Sequence, residues 1–383
     1  MRVLHISSGN LYGGVEAFLA TLLREAPCAP GMEPDFATCF EGRLSSQLAV
    51  MGRPPHSLQS ARLSRPLSVL RARRALSALL KRESYDVVVC HQPWACVVFG
   101  SAIRAAGFPV VLWVHMATDG RHWLERLCRI VRPDLALCNS RFTADQTSTW
   151  LPHTSTEVVY CPVSGSPHAA RPDRRSSLRR SLRASSDDVV LVQVSRLEAF
   201  KGQHVLLDAL SRLTDLPRWV CWIVGGAQRA SELDYLHRLQ AVARESGIGD
   251  RVRFTGERDD VPSLLSAADI YCQPNTDPEG FGLTFVEAMR EGLPVVTSGI
   301  GGACEIVDGS CGVLTPPGNA ESLATSLRRL IVDTGLRSQL GAEARKRPAQ
   351  LCDPNVQMRR IQALLNAVVT RPRLHGAHTV RAE

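Results

Sequence analysis

The chain has 383 residues, 45 Lys and Arg against 37 Asp and Glu, a formal charge of +8 and 44% hydrophobic residues. That balance excludes disordered, collagen-like and coiled-coil chains and predicts a globular protein of two domains, at roughly 100–200 residues each. No apolar run approaches the ~20 residues of a membrane span and the first residues lack a signal-peptide core, so a soluble, cytoplasmic protein is expected.

From Arg2 to about Tyr160, short β-branched runs alternate with longer helical patterns, the mark of a parallel α/β domain. Strands are predicted at 2–7, 35–40, 86–91, 109–114, 134–138 and 157–161, and helices at 14–26, 66–82, 93–107, 119–131 and 140–150. In 66–82, Val69, Ala72, Leu76 and Leu79 share a face while most Arg and Lys lie elsewhere, giving an amphipathic helix with a basic outer side. The composition shifts at Pro162-Val163-Ser164-Gly165 into an Arg/Ser-rich stretch, where a linker at 166–187 is expected. A second α/β alternation follows, with strands at 188–195, 218–224, 251–255, 269–273 and 293–298 and helices at 202–213, 229–246, 260–267, 281–291 and 319–331. The reading is therefore two doubly wound domains, 1–165 and 188–352, with a C-terminal helix near 353–369 and a loose tail inside 353–383.

Two counts narrow the partners. Only Lys81, Lys201 and Lys346 are lysines, so the positive balance is an arginine bias of the whole chain. The arginine blocks at 62–82 and 171–183 lack interleaved aromatics, which argues against nucleic acid. Twelve cysteines include no C-x-x-C pair and several sit in apolar runs, so they read as buried thiols of a reducing compartment.

Ligands of doubly wound sheets bind beyond the carboxyl ends of the strands, and three loops there carry candidate chemistry. The first is Ser8-Gly9-Asn10-Leu11-Tyr12-Gly13-Gly14-Val15-Glu16, where Gly13 and Gly14 would expose amides at a helix start to an anion; a tight turn explains it equally well. The second is Ser195-Arg196-Leu197-Glu198-Ala199-Phe200-Lys201-Gly202, whose guanidinium and ammonium suit a departing diphosphate, against a plain surface-charge reading. The third is Pro278-Glu279-Gly280-Phe281-Gly282-Leu283-Thr284-Phe285-Val286-Glu287. Its glycines open a helix start to phosphate, and its carboxylates would accept from hydroxyls on either side, as a nucleotide sugar requires. A glycosidase acid and base, or an acidic helix start with an exposed Glu, are the alternatives.

Glu279 and Glu287 around Gly280-Phe281-Gly282, the Arg196/Lys201 pair, Glu287-Ala288-Met289-Arg290-Glu291-Gly292-Leu293-Pro294 and Gly301-Gly302 before Glu305 resemble the retaining glycosyltransferases of family 4. The resemblance implies the GT-B fold, two Rossmann-like domains facing an interdomain cleft. It implies that Arg196 and Lys201 bind the diphosphate, that Glu279 contacts donor-sugar hydroxyls and that Glu287 holds the ribose. The backbone at Phe281, Gly282 and Leu283 would contribute to phosphate binding, Gly13 and Gly14 would lie near the donor phosphates, and the 252–256 segment with Arg253 would lie beside the base. His115, after strand 109–114, is similar to a histidine close to the reacting sugar; taken alone, it reads as a structural histidine. The chain departs from the pattern at Ser195, Cys304 and Cys161-Pro162-Val163-Ser164.

The implied activity is retaining transfer of a sugar from a nucleotide-diphosphate sugar, UDP- or GDP-linked, to an acceptor hydroxyl, with no cofactor. No metal is expected, since Asp259-Asp260 reads as a helix start and no D-x-D stands at a plausible place. The competing readings are a nucleotide-sugar-binding regulatory protein and an epimerase or hydrolase of the same fold. Peripheral contact of the basic helix 66–82 with an anionic leaflet is a secondary expectation, behind simple packing of that helix on its own sheet.

Overall fold

The computed structural model describes residues 1–163 and 172–371. Runs such as Val87-Val88-Val89-Cys90 and Val110–Val114 are buried along their whole length, the pattern of strands covered by helices on both faces. They build two parallel sheets. The first contains β1 (Arg2–Ser7), β2 (Glu33–Thr38), β3 (His56–Ser57), β4 (Val87–His91), β5 (Val110–Val114), β6 (Leu135–Cys138) and β7 (Thr156–Val158), in the order β3-β2-β1-β4-β5-β6-β7. The second contains β8 (Val189–Val194), β9 (Trp219–Val224), β10 (Val252–Gly256), β11 (Ile270–Gln273), β12 (Val295–Ser298) and β13 (Gly312–Thr315), in the order β10-β9-β8-β11-β12-β13. The chain direction across each sheet reverses between β1 and β4 and between β8 and β11, so the ligand crevices open beside the loops after those strands.

Apolar side chains form a separate cluster on one face of each sheet, and a third cluster runs from Phe18 and Trp113 in the first half through Cys161 to Phe281 and Phe285 in the second. The C-terminal helix Pro354–Thr370 contributes Met358, Ile361 and Leu365 to that shared core. It also returns to the first half, where Arg360 Nε donates to the Val158 carbonyl at 2.7 Å.

Several elements differ from the expected pattern. Short or weakly patterned pieces were not anticipated: helix Arg43–Val50, β3, β13 and helices Thr334–Ala344 and Arg347–Leu351. Residues 172–181, expected as linker, form a helix that packs on helix Val261–Ala267 and belongs to the second half; residues 166–171 of the expected linker lie outside the described residues. Leu178 is that helix's apolar contact with the shared core, and charge supplies the rest of its anchoring. Arg175 and Arg179 both pair with Asp269, at 2.8 and 3.1 Å, and donate to carbonyls at the end of helix Val261–Ala267. The expected tail falls outside the described residues beyond Arg371. All twelve cysteines are free thiols, but Cys304 is exposed rather than buried. No helix among the described residues is long and apolar enough to cross a membrane.

Candidate active site

The loops after β8 and β11 meet at a largely buried ion pair. Lys201 Nζ lies 2.5 Å from Glu279 Oε1, with the two side chains 13% and 18% exposed. Glu279 Oε2 accepts from Gln273 Nε2 and Asn275 Nδ2, each at 2.9 Å. Burial alone would push this carboxyl up, but Lys201 and the two amides outweigh it and hold Glu279 below the ordinary carboxylate range. The site therefore presents a fixed carboxylate and a fixed ammonium side by side.

Glutamines position these loops. Gln193 Nε2 donates to the Lys201 carbonyl at 2.8 Å, and Gln203 Nε2 to the Arg196 carbonyl at 2.9 Å. The buried hydroxyl of Tyr271 donates toward Gln273 Oε1 at 2.9 Å, orienting the amide that holds Glu279. Sequence reasoning singled out none of Gln193, Gln203, Gln273 or Asn275. A signal was present: Gln193 and Gln273 are polar residues near the ends of the apolar strands β8 and β11, and a fully buried amide there needs partners.

Arg196 pairs with Glu198 at 2.8 Å and lies across the cleft beside Gly13, where a Cβ would come 3.5 Å from its Nε. The Gly13 amide is already used, donating to Glu16 Oε2 at 3.0 Å, so room for an anion lies beside the Gly13–Gly14 turn rather than on that N–H. Among the described residues nothing stands within 4 Å of a Cβ placed on Gly14. Glu287 sits on helix Leu283–Arg290, and its carboxylate has no hydrogen-bond or ion-pair partner among the described residues. Burial pushes its pKa up to about 7, against the pull of Arg290 and Arg24.

Gly280 is the seam between the halves: a Cβ there would lie 2.5 Å from the His115 carbonyl oxygen and 2.9 Å from Met116 Cα. The Gly280 carbonyl in turn accepts from Ser140 Oγ at 2.6 Å. Gly282 takes φ +100° at the helix N-cap, and Phe281 is buried beside the Tyr160 ring. Thus Lys201, Glu279, Gly280, Phe281, Gly282, Leu283 and His115 come together, with Arg196 and Gly13 facing them. Arg253 does not join them. Its guanidinium turns back to the Gly249, Asp250 and Val252 carbonyls at the amino end of β10, away from the crevice.

Further contacts bridge the halves. Tyr12 and Gln228 exchange two hydrogen bonds, at 3.0 and 2.9 Å, and Arg43 pairs with Glu257 and Asp259 at 2.7 and 2.6 Å. The Glu305 carboxylate caps helix Arg141–Trp150, accepting from the Arg141 and Phe142 amides at 3.0 and 2.8 Å and from Tyr160 Oη at 2.9 Å. Among the described residues no group of three or more His, Cys, Asp or Glu could hold a metal ion.

Residues 174–347 match the family of glycosyl transferases group 1, and residues 12–165 match glycosyltransferase family 4. The chain is 30% identical to a phosphatidyl-myo-inositol mannosyltransferase of Mycobacterium leprae over 69% of each chain. It is also 30% identical to a GDP-mannose-dependent phosphatidylinositol monomannoside mannosyltransferase of Mycolicibacterium smegmatis, over 55% of this chain and 56% of that one. The crystal structure of Anabaena HepE in complex with UDP-glucose superposes with a TM-score of 0.83 and 26% identity, covering 96% of this chain and 100% of that one. Two parallel Rossmann-like domains, the paired Lys201 and Glu279, and these matches make the chain a member of the group 1, family 4 glycosyltransferases of GT-B fold.

Proposed function

We propose that the protein transfers a sugar from a UDP- or GDP-sugar to an acceptor hydroxyl with retention at the anomeric carbon and without a metal ion. The observation that carries this reading is the Lys201–Glu279 pair, desolvated, amide-braced and set against the backbone of His115 through Gly280. The donor classes follow those named for relatives, UDP-glucose for HepE and GDP-mannose for the mycobacterial enzyme.

In this reading the diphosphate lies between Arg196 and Lys201, whose charges meet the negative charge that grows as the nucleotide departs. The glycines opening helix Leu283–Arg290 let its first amides approach the same phosphates. Glu279 accepts from sugar hydroxyls, His115 orients the sugar from the opposite wall, and Glu287, unpaired among the described residues, accepts from the ribose. The acceptor hydroxyl attacks the anomeric carbon from the face the diphosphate leaves. The bond to the leaving oxygen breaks, and that oxygen takes the acceptor's proton.

Incubation with UDP-, GDP-, TDP- and ADP-sugars, with and without acceptor sugars and lipids, tests the reading. Acceptor-dependent nucleotide release with an anomer matching the donor is expected. Release that ignores acceptor would replace transfer by hydrolysis, an altered free nucleotide sugar would mean epimerisation, and binding without turnover would mean a regulatory protein.

Peripheral contact with an anionic membrane belongs to the same proposal, but its support moves from helix Pro66–Arg82 to helix Trp123–Val131. The former buries Ala72, Leu76, Leu79 and Leu80 on its own sheet. On the latter, Trp123, Leu127 and Ile130 are 50%, 36% and 75% exposed at helical spacing, with Arg121, Arg126, Arg129 and Arg132 exposed around them. Its Glu125 is buried, so the outer face is apolar and cationic. Salt-sensitive co-sedimentation with phosphatidylglycerol vesicles, lost in Ile130→Glu, is expected; equal recovery of both proteins would refute the contact.

A further inference from the structure

Three imidazoles from adjacent strands form one hydrogen-bonded row. His5 lies in β1, His91 closes β4 and His115 follows β5, and these strands neighbour one another in the sheet. His5 Nδ1 stands 3.0 Å from His91 Nε2, and His91 Nδ1 stands 2.8 Å from His115 Nε2. Phe36 stacks on His5, Trp113 stacks on His91 and His115, and Phe18 tilts against both of the latter. His5 and His91 are 1% and 2% exposed.

The two ends of the row differ. His5 Nε2 is fully buried and has no hydrogen-bond partner among the described residues. His115 Nδ1 also has no protein partner among the described residues, but it is not sealed off, and the His115 backbone abuts Gly280 next to Glu279. The row therefore starts at a dead end in the core and finishes at the cleft.

Burial holds the three rings neutral, pushing His5 and His115 down to about 3 and His91 well below its ordinary value. A neutral imidazole carries one proton, and each nitrogen–nitrogen junction accommodates one, so the protons must all run in the same sense. Running inward, they would leave a buried N–H on His5 Nε2 with no acceptor, and orphaned buried donors are rare. Running outward, they leave only a bare lone pair there and set an N–H at the cleft.

We infer that His5 and His91 are positioning residues that lock His115 as the Nδ1–H tautomer, a permanent hydrogen-bond donor to the sugar. Nδ1 already carries its proton and Nε2 is occupied by the His91 N–H. His115 thus cannot take a proton without breaking a junction, which excludes it as a general base. The sugar as recipient rests on the proposed transfer; the tautomer does not.

The experiment is two-dimensional ¹⁵N NMR of histidine-labelled protein together with transfer kinetics on His5→Asp and His5→Asn. The two side chains have the same shape, but the asparagine amide nitrogen keeps a donor to His91, whereas the aspartate carboxylate only accepts and draws the His91 proton to Nε2. Expected are an Nδ1–H signal for His115 in the unmodified protein and in His5→Asn, and its replacement by Nε2–H in His5→Asp with about a tenfold fall in kcat/KM. An Nε2–H signal for His115 in the unmodified protein overturns the inference, and that spectrum decides even where His5→Asp fails to fold. An unchanged tautomer or unchanged kcat/KM in folded His5→Asp overturns it too. Absence of transfer by the unmodified protein with every donor defeats the proposed function while leaving the tautomer measurable.

Discussion

The two walls of the cleft are built from opposite chemistry. The wall from the second half is ionic: Arg196, Lys201 and Glu279 are charged, paired and braced by amides. The wall from the first half is neutral: His115, His91 and His5 are packed among Phe18, Phe36 and Trp113. Under the proposed transfer the difference is a division of labour. A leaving diphosphate gains charge and needs preorganised cations, whereas a sugar ring needs fixed direction from groups that do not change charge.

Removing the charge should show the largest effect. Lys201→Ala is expected to lower kcat by about 10²–10³, as loss of a charge partner of the transition state does. A near-normal single-turnover rate in this variant would break the ionic side of the comparison. Gly280→Ala strikes where the walls touch, and because the clash is with backbone, kcat/KM should fall by about tenfold or more with Lys201 intact. Unchanged kinetics there would mean that the halves need not approach this closely.

Glu287 gives a smaller, pH-shaped effect. With its folded value at about 7, above an ordinary 4.5, the folded chain holds an extra proton between those limits, so stability contributed by that proton is lost as pH rises through 7. Melting temperature should therefore fall across that window and fall less in Glu287→Gln. Donor binding, which favours the carboxylate, should tighten over the same window, and calorimetry showing no such trend would detach Glu287 from the ribose. The mildest change is Glu305→Gln, which keeps the cap but drops its charge at the helix start. A loss of about 0.3–1 kcal/mol in stability is expected, with kcat/KM little altered.

Legibility followed the same divide. The charged loops were readable because Arg196 and Lys201 share one loop and Glu279 and Glu287 flank one helix start, so spacing along the chain marked where charge gathers. The helix at 66–82 was readable to the residue because its apolar period is clean. The helix at 172–181 was not, because its anchors are Arg175 and Arg179 reaching Asp269 rather than an apolar stripe. Arg253 shows the converse. A residue inside a matching segment turned away, since carbonyls at the near end of its own strand satisfied it first.

By itself the sequence determined two α/β halves and the loops that bear charge, because hydrophobic period, glycine placement and local spacing act within a single segment. Tertiary structure alone decided which segments meet. His5 and His91 are 86 residues apart, His91 and His115 are 24 apart, and Lys201 and Glu279 are 78 apart. Only the strand orders, with β1 beside β4 and β8 beside β11, bring them within hydrogen-bond reach, and no periodicity along the chain encodes that order.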